Sequence, residues 1–117
     1  MTWTVLFSPD FMNWYQTRSC ERQDKVVAEL AKLEQYGPMS GRPWADRVKG
    51  SAFVNMKALR FLFAGAPYRI FYAFDLQRQA VILCGGDKSA QKRFYETSIR
   101  LADEAFTRHL HSMEKAK

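Results

Sequence analysis

The chain has 117 residues, enough for one domain of ordinary size and too few for two. Its two cysteines, Cys20 and Cys84, lie far apart without CxxC spacing, which excludes a disulfide-dense secreted scaffold and points to a reducing cytoplasm. The net charge of +6 is concentrated: Arg42 to Arg93 holds ten basic residues against three acidic ones (+7), and the rest of the chain carries −1, a distribution that attracts a polyanion.

Thr2 to Ser8 alternates, with Trp3, Val5 and Phe7 on one side, and predicts a first strand stopped by Pro9. The opening residues carry no basic n-region, and no run approaches the ~18 apolar residues of a membrane span, so neither a signal peptide nor a span is expected. Asp10 to Ser19 places Phe11, Trp14, Tyr15 and Arg18 at helical spacing. Glu21 to Gln35 carries the stripe Val26, Val27, Leu30 and Leu33, and Gly37-Pro38 ends it, so two helices forming a hairpin are expected before residue 38. Residues 38 to 52 read as a loop with one short extended piece, Trp44 serving as a lid over the core. Met56 to Phe63 predicts a strand, Gly65-Ala66-Pro67 a turn, and the aromatic run Tyr68 to Phe74 a central strand covered on both faces. Asp75 to Gln79 connects to a last strand, Ala80 to Cys84, closed by Gly85-Gly86. Ser89 onward is helical, with Phe94, Ile99, Ala102, Phe106 and Leu110 in its stripe. The order β-α-α-β-β-β-α predicts one α+β domain over residues 1 to 117 with a mainly antiparallel sheet. Both cysteines are expected to be small buried hydrophobes.

Metal chemistry has little support. His109 and His111 stand two apart on a predicted helix, point in different directions, and read as surface residues near a helix C-terminus. No Cys/His cluster, GxSxG or GxxxxGK[ST] spacing is present, so no metal or other cofactor is expected; Gly85 to Ser89 (GGDKS) only superficially suggests a phosphate loop. What remains is a set of cations and tyrosines around the sheet: Lys57, Arg60, Tyr68, Arg69, Lys88, Lys92, Arg93 and Tyr95, with Arg42, Arg47 and Lys49 in the preceding loop. RNA cleavage by its own 2′-hydroxyl needs a base, cations on the crowded phosphate and an acid for the leaving 5′ oxygen. A lysine among other cations can lose its proton more readily, arginine can hold a phosphate with two hydrogen bonds, and tyrosine can stack or orient. The same residues would serve a protein that only binds nucleic acid. Arg69, a charge inside an apolar strand, requires a partner or a ligand. Lys88, Lys92 and Arg93 sit near a predicted helix start, where cations are unfavourable unless an anion is bound.

The blocks VKGS, NMKALRF, G-x-P-YRIFYAFD and GGDKSAQKRFYE, densest over residues 48 to 96, resemble the phage-type HigB toxins within the RelE/ParE superfamily. The resemblance implies a RelE-like fold with helices on a twisted antiparallel sheet. It implies a metal-independent endoribonuclease that cuts messenger RNA in the ribosomal A site and inhibits translation. It also implies restraint by a helix-turn-helix (HigA-like) antitoxin, through which alone operator DNA is bound. Arg60 and Tyr68-Arg69 match the superfamily's LR…GYR pattern; Lys88 and Arg93 fall in the region of its second group of catalytic cations, Tyr95 matches a tyrosine there, and Lys57 aligns loosely. Catalysis is thereby expected of Lys57, Arg60, Arg69, Lys88, Arg93 and Tyr95, and RNA binding of Arg42, Arg47, Lys49, Tyr68 and Lys92. Two other functions fit the same residues: inhibition of DNA gyrase without nuclease activity, as in the ParE branch, and a non-enzymatic nucleic-acid-binding adaptor.

Overall fold

The computed structural model of the protein describes residues 3–39 and 45–115; Arg42 and Trp44 lie outside them. Strands β1 (Thr4–Phe7), β2 (Ala45–Arg47), β3 (Lys57–Phe63), β4 (Ala66–Phe74) and β5 (Gln79–Asp87) form one sheet in the order β1-β5-β4-β3-β2. All neighbours are antiparallel except β1 with β5. Helices α1 (Pro9–Gln16) and α2 (Cys20–Tyr36) follow β1, and α3 (Phe94–Lys115) closes the chain. The architecture is the α+β one that the sequence implies, with β2 as the short extended piece of the 38–52 loop.

Strand periodicity divides the core in two. Tyr68, Ile70 and Tyr72 of β4 pack with Phe11, Val26, Leu30 and Leu33 of the first two helices. Phe71 and Ala73 point the other way, to Phe94, Ala102, Ala105 and Phe106 of α3. The central strand is thus covered on both faces, as its unbroken apolar run requires. In β5 the pairing slips between Phe71/Tyr72, so Leu83 is an extra residue, and Leu83 and Cys84 both face α3.

Helix boundaries follow their caps. Ser8 accepts from the Phe11 amide (3.2 Å) while its hydroxyl donates to the Leu83 carbonyl (3.1 Å), joining α1 to the sheet. Pro9 therefore begins a helix as well as ending a strand. Gly37 ends α2 at φ 58°, and a Cβ there would fall 2.2 Å from the Trp3 indole nitrogen.

Four expectations are corrected. Gly85-Gly86 does not close β5, which continues to Asp87: Gly85 lets Phe11 and Trp14 approach on one face, and Gly86 admits Phe94 on the other. The last helix starts at Phe94, so Lys88 and Lys92 precede it, Lys88 in a short 3-10 turn (Lys88–Ala90). Cys20 is exposed at the start of α2; only Cys84 is shielded, and burial pushes its thiol pKa up to about 12. His109 is no surface residue: its side chain is 15% exposed, its ring stacks on Phe106, and its Nε2 lies 2.8 Å from Asp75 Oδ2. No helix among the described residues is long and apolar enough to cross a membrane.

Asp75 is the polar knot of the β4–β5 turn. Its Oδ1 accepts from the backbone amides of Gln77 and Gln79, and its Oδ2 accepts from the Gln79 side chain and meets His109. Burial alone would raise its pKa, but the hydrogen bonds from Gln79, His109 and Gln77 prevail and hold it below the ordinary carboxylate value. A depressed folded-state pKa contributes stability above the unfolded-state value, and that contribution is lost as pH falls through the folded-state value. Asp75→Asn, which turns an amide group toward these donors, is expected to cost about 1–3 kcal/mol at neutral pH. Urea denaturation across pH should show the gap to wild type narrowing below about pH 4.

Candidate nucleic-acid interface

The α3 face of the sheet is open at one end, and there the cations collect. Arg60 of β3 and Arg69 of β4 are direct cross-strand partners, and both point to this face. Residues so paired have their Cβ atoms about 4.5–5.5 Å apart, and like charges there are destabilising. Among the described residues no carboxylate forms a salt bridge with Arg69. Its Nε donates to the Tyr95 hydroxyl (2.9 Å) and its Nη1 to the Tyr68 carbonyl (2.9 Å), neutral acceptors that fix the guanidinium while leaving its charge available. Tyr95 is set by edge-on contacts with Phe71 and Phe94, and the Lys88 ammonium lies 5.6 Å from its ring centre. Arg60, Arg69, Lys88 and Tyr95 therefore converge from two strands, a turn and a helix.

Beside them opens a pocket of about 370 Å³ lined by Asp46, Arg47, Val48, Lys49, Ala58, Arg60, Tyr95 and Ile99. The floor is apolar, the rim basic, and Asp46 is its one acidic residue, with Oδ2 4.0 Å from Arg60 Nη2. Sequence reasoning passed over Asp46, which stood in a loop without periodicity; its place follows from the pairing of β2 with β3. Among the described residues no group of acidic, histidine or cysteine side chains could hold a metal ion.

Two expected residues lie elsewhere. Lys57 pairs with Tyr72 on the opposite face, where its ammonium donates to the Pro38 carbonyl (3.0 Å). Tyr68 is 6% exposed on that same face, stacked on Phe61, its hydroxyl accepting from Arg22 Nε (2.9 Å). Lys57 is three positions from Arg60 and Tyr68 one position from Arg69, odd offsets along the strand, so the pleat turns them away. Tyr68 is a core residue and has no face to offer a base. Lys92 and Arg93 are exposed ahead of α3, and Arg93 lies 3.9 Å from Glu96, so they border the cluster without being fixed in it.

The fold is that of the RelE-type toxins. Its solved neighbours include a RelE toxin of Escherichia coli with two arginines replaced, in the free state (TM-score 0.60, 12% identical, 92% of this chain and 98% of that one). They also include the RelBE2 toxin–antitoxin complex of Mycobacterium tuberculosis (0.56, 19%, 75% and 100%) and the archaeal RelE–RelB complex of Pyrococcus horikoshii (0.55, 16%, 78% and 100%). The chain belongs to the Gp49-like family of phage-derived proteins, whose profile matches residues 13–107. It is similar to two Mycobacterium tuberculosis proteins named as HigB toxins. It is 41% identical to HigB3 over 86% of this chain and 87% of that protein. To HigB2 it is 39% identical over 89% of this chain, which spans about half of that longer protein. It is thus a RelE-superfamily toxin of the toxin–antitoxin type.

A polyanion relieves the Arg60–Arg69 repulsion, so an oxyanion should stabilise the folded protein by mass action. Millimolar sulfate at constant ionic strength is expected to raise the melting temperature of wild type, and clearly less that of Arg60→Gln. Equal shifts in the two proteins would place the anion elsewhere.

Proposed function

We propose that the protein is a ribosome-dependent messenger RNA endoribonuclease that acts without a metal ion. The observation that carries the reading is the Arg60–Arg69 pair, two arginines directly opposite each other on β3 and β4, with the Arg69 guanidinium held by Tyr95. Such a pair opposes folding slightly and is useful when a dianionic, crowded phosphate lies across it. Arg69, already oriented, can meet the phosphate with its remaining N–H groups, and Arg60 can approach it from the next strand. Lys88 and the exposed cations Lys92 and Arg93 extend the positive field along the RNA, as Arg47 and Lys49 do at the pocket. The protein acts in the cytoplasm, where its substrate is found. Its partner is a cognate antitoxin, a reading supported by fold neighbours solved as toxin–antitoxin complexes; a helix-turn-helix antitoxin of the HigA type would also carry operator binding.

Expression without the antitoxin is expected to arrest growth, with pulse-labelled protein synthesis falling before DNA synthesis. Cleaved messenger RNA should end in a 2′,3′-cyclic or 3′ phosphate, the product of attack by the neighbouring 2′-hydroxyl. A 3′-hydroxyl product excludes this chemistry, and a primary loss of DNA synthesis or supercoiling indicates gyrase inhibition instead.

Arg69→Ala should remove toxicity while the protein still folds and binds its antitoxin. Loss of a transition-state contact of this kind costs about 3 kcal/mol, on the order of a hundredfold in rate. Arg69→Lys keeps the charge but lacks the planar fork that serves both Tyr95 and a phosphate, so it should be impaired as well. Growth arrest read together with a thermal melt decides the point: a fully toxic Arg69→Ala, or one that unfolds, makes Arg69 a structural residue.

A further inference from the structure

Resting on the ribonuclease reading, we infer that Asp46 is the general base that takes the 2′-hydroxyl proton. The site has cations to spare and needs one group that is deprotonated at neutral pH. Lys57, one candidate from the sequence, is on the far face of the sheet. Lys49 is exposed at the pocket rim and, as an ammonium, would first have to lose a proton. Asp46 supplies a carboxylate at the required place. It pairs with Ala58, so its side chain shares the α3 face with Arg60 two residues further along β3. One oxygen, Oδ1, is held by the amide of Arg47 (2.8 Å), which fixes the rotamer. The other, Oδ2, lies 4.0 Å from the Arg60 guanidinium, within the pocket that Arg60 and Tyr95 also line. Its side chain is 31% exposed, at the pocket surface and partly withdrawn from water.

A phosphate held by Arg60 and Arg69 brings the ribose on its 3′-linked side toward Oδ2. Asp46 removes the 2′-hydroxyl proton, the 2′ oxygen bonds to phosphorus, and the phosphorus–O5′ bond breaks. The departing O5′ takes a proton from the Lys88 ammonium. The products are a 2′,3′-cyclic phosphate and a 5′-hydroxyl; water then removes the proton from Asp46 and returns one to Lys88. Arg60 has a second role in this arrangement, since it keeps the carboxylate turned into the pocket before substrate arrives.

The test is single-turnover cleavage of messenger RNA on programmed ribosomes by wild type, Asp46→Asn and Lys49→Gln, between about pH 6 and 8.5. Asp46→Asn should lower the cleavage rate about a hundredfold or more while the protein still folds and still binds the ribosome. A carboxylate needed only to neutralise Arg60 would alter affinity or stability and spare the rate. The wild-type rate should be level across this range, because a carboxylate base is fully ionised throughout. The inference is overturned if Asp46→Asn cleaves within about threefold of wild type. A wild-type rate that climbs about tenfold per pH unit and vanishes in Lys49→Gln overturns it too, by assigning the base to a lysine. In both cases the nuclease reading survives; if wild type cuts no RNA, that reading falls and the inference with it.

Discussion

The two-residue repeat of β4, held between helices on both sides, is the constraint on which the rest of the structure depends. Because each face is covered by a different layer, every side chain of the strand is committed to one of them. Tyr68, Ile70 and Tyr72 fill the core under the first two helices, while Phe71 and Ala73 fill the core under α3. A shift of one residue would bury Arg69 among Phe11, Leu30 and Leu33 without a partner, at a cost of several kcal/mol. The register that satisfies the apolar residues is therefore the one that delivers Arg69 to the open end of the α3 face.

That same register sets Arg69 opposite Arg60, an arrangement folding would avoid if stability alone mattered. The repulsion is modest, about 0.2–1 kcal/mol for an exposed cross-strand pair, and Asp46 near Arg60 reduces it. The protein tolerates it because Arg69 is tied to two neutral oxygens that satisfy its hydrogen bonds without cancelling its charge. Tyr95 thereby joins the site to the fold: its ring is packed by Phe71 and Phe94, and its hydroxyl orients the guanidinium. Preorganisation of this kind removes part of the ordering cost of gripping an anion.

Two polar connections outside the site keep the layers aligned. Ser8 caps α1 and donates to the Leu83 carbonyl, fixing the first helix to the centre of the sheet. Asp75 gathers its own turn and His109, tying the far part of α3 to the β4–β5 connection. With α3 held at that end and by Phe94 against Gly86 at the other, Tyr95 has little freedom to leave Arg69.

By itself the sequence determined the order of elements, the double burial of the YRIFYAF strand, and a cationic surface suited to a polyanion. These properties are written in local periodicity, caps and charge density, which need no knowledge of what packs against what. It also implied the significance of Arg69, since a charge in an apolar strand must find a partner. Only the tertiary structure decided which cations meet. The sequence offered Lys57, Arg60 and Tyr68 alike as companions of Arg69, yet strand pairing and the pleat join Arg60 to Arg69 and send Lys57 and Tyr68 to the opposite face. The partnership of Asp75 with His109 spans 34 residues, and that of Asp46 with Arg60 passes through a three-residue strand too short to carry a periodic signal. Contacts of this kind depend on register and on the layer that covers each face, and those are fixed by the packing of the whole sheet.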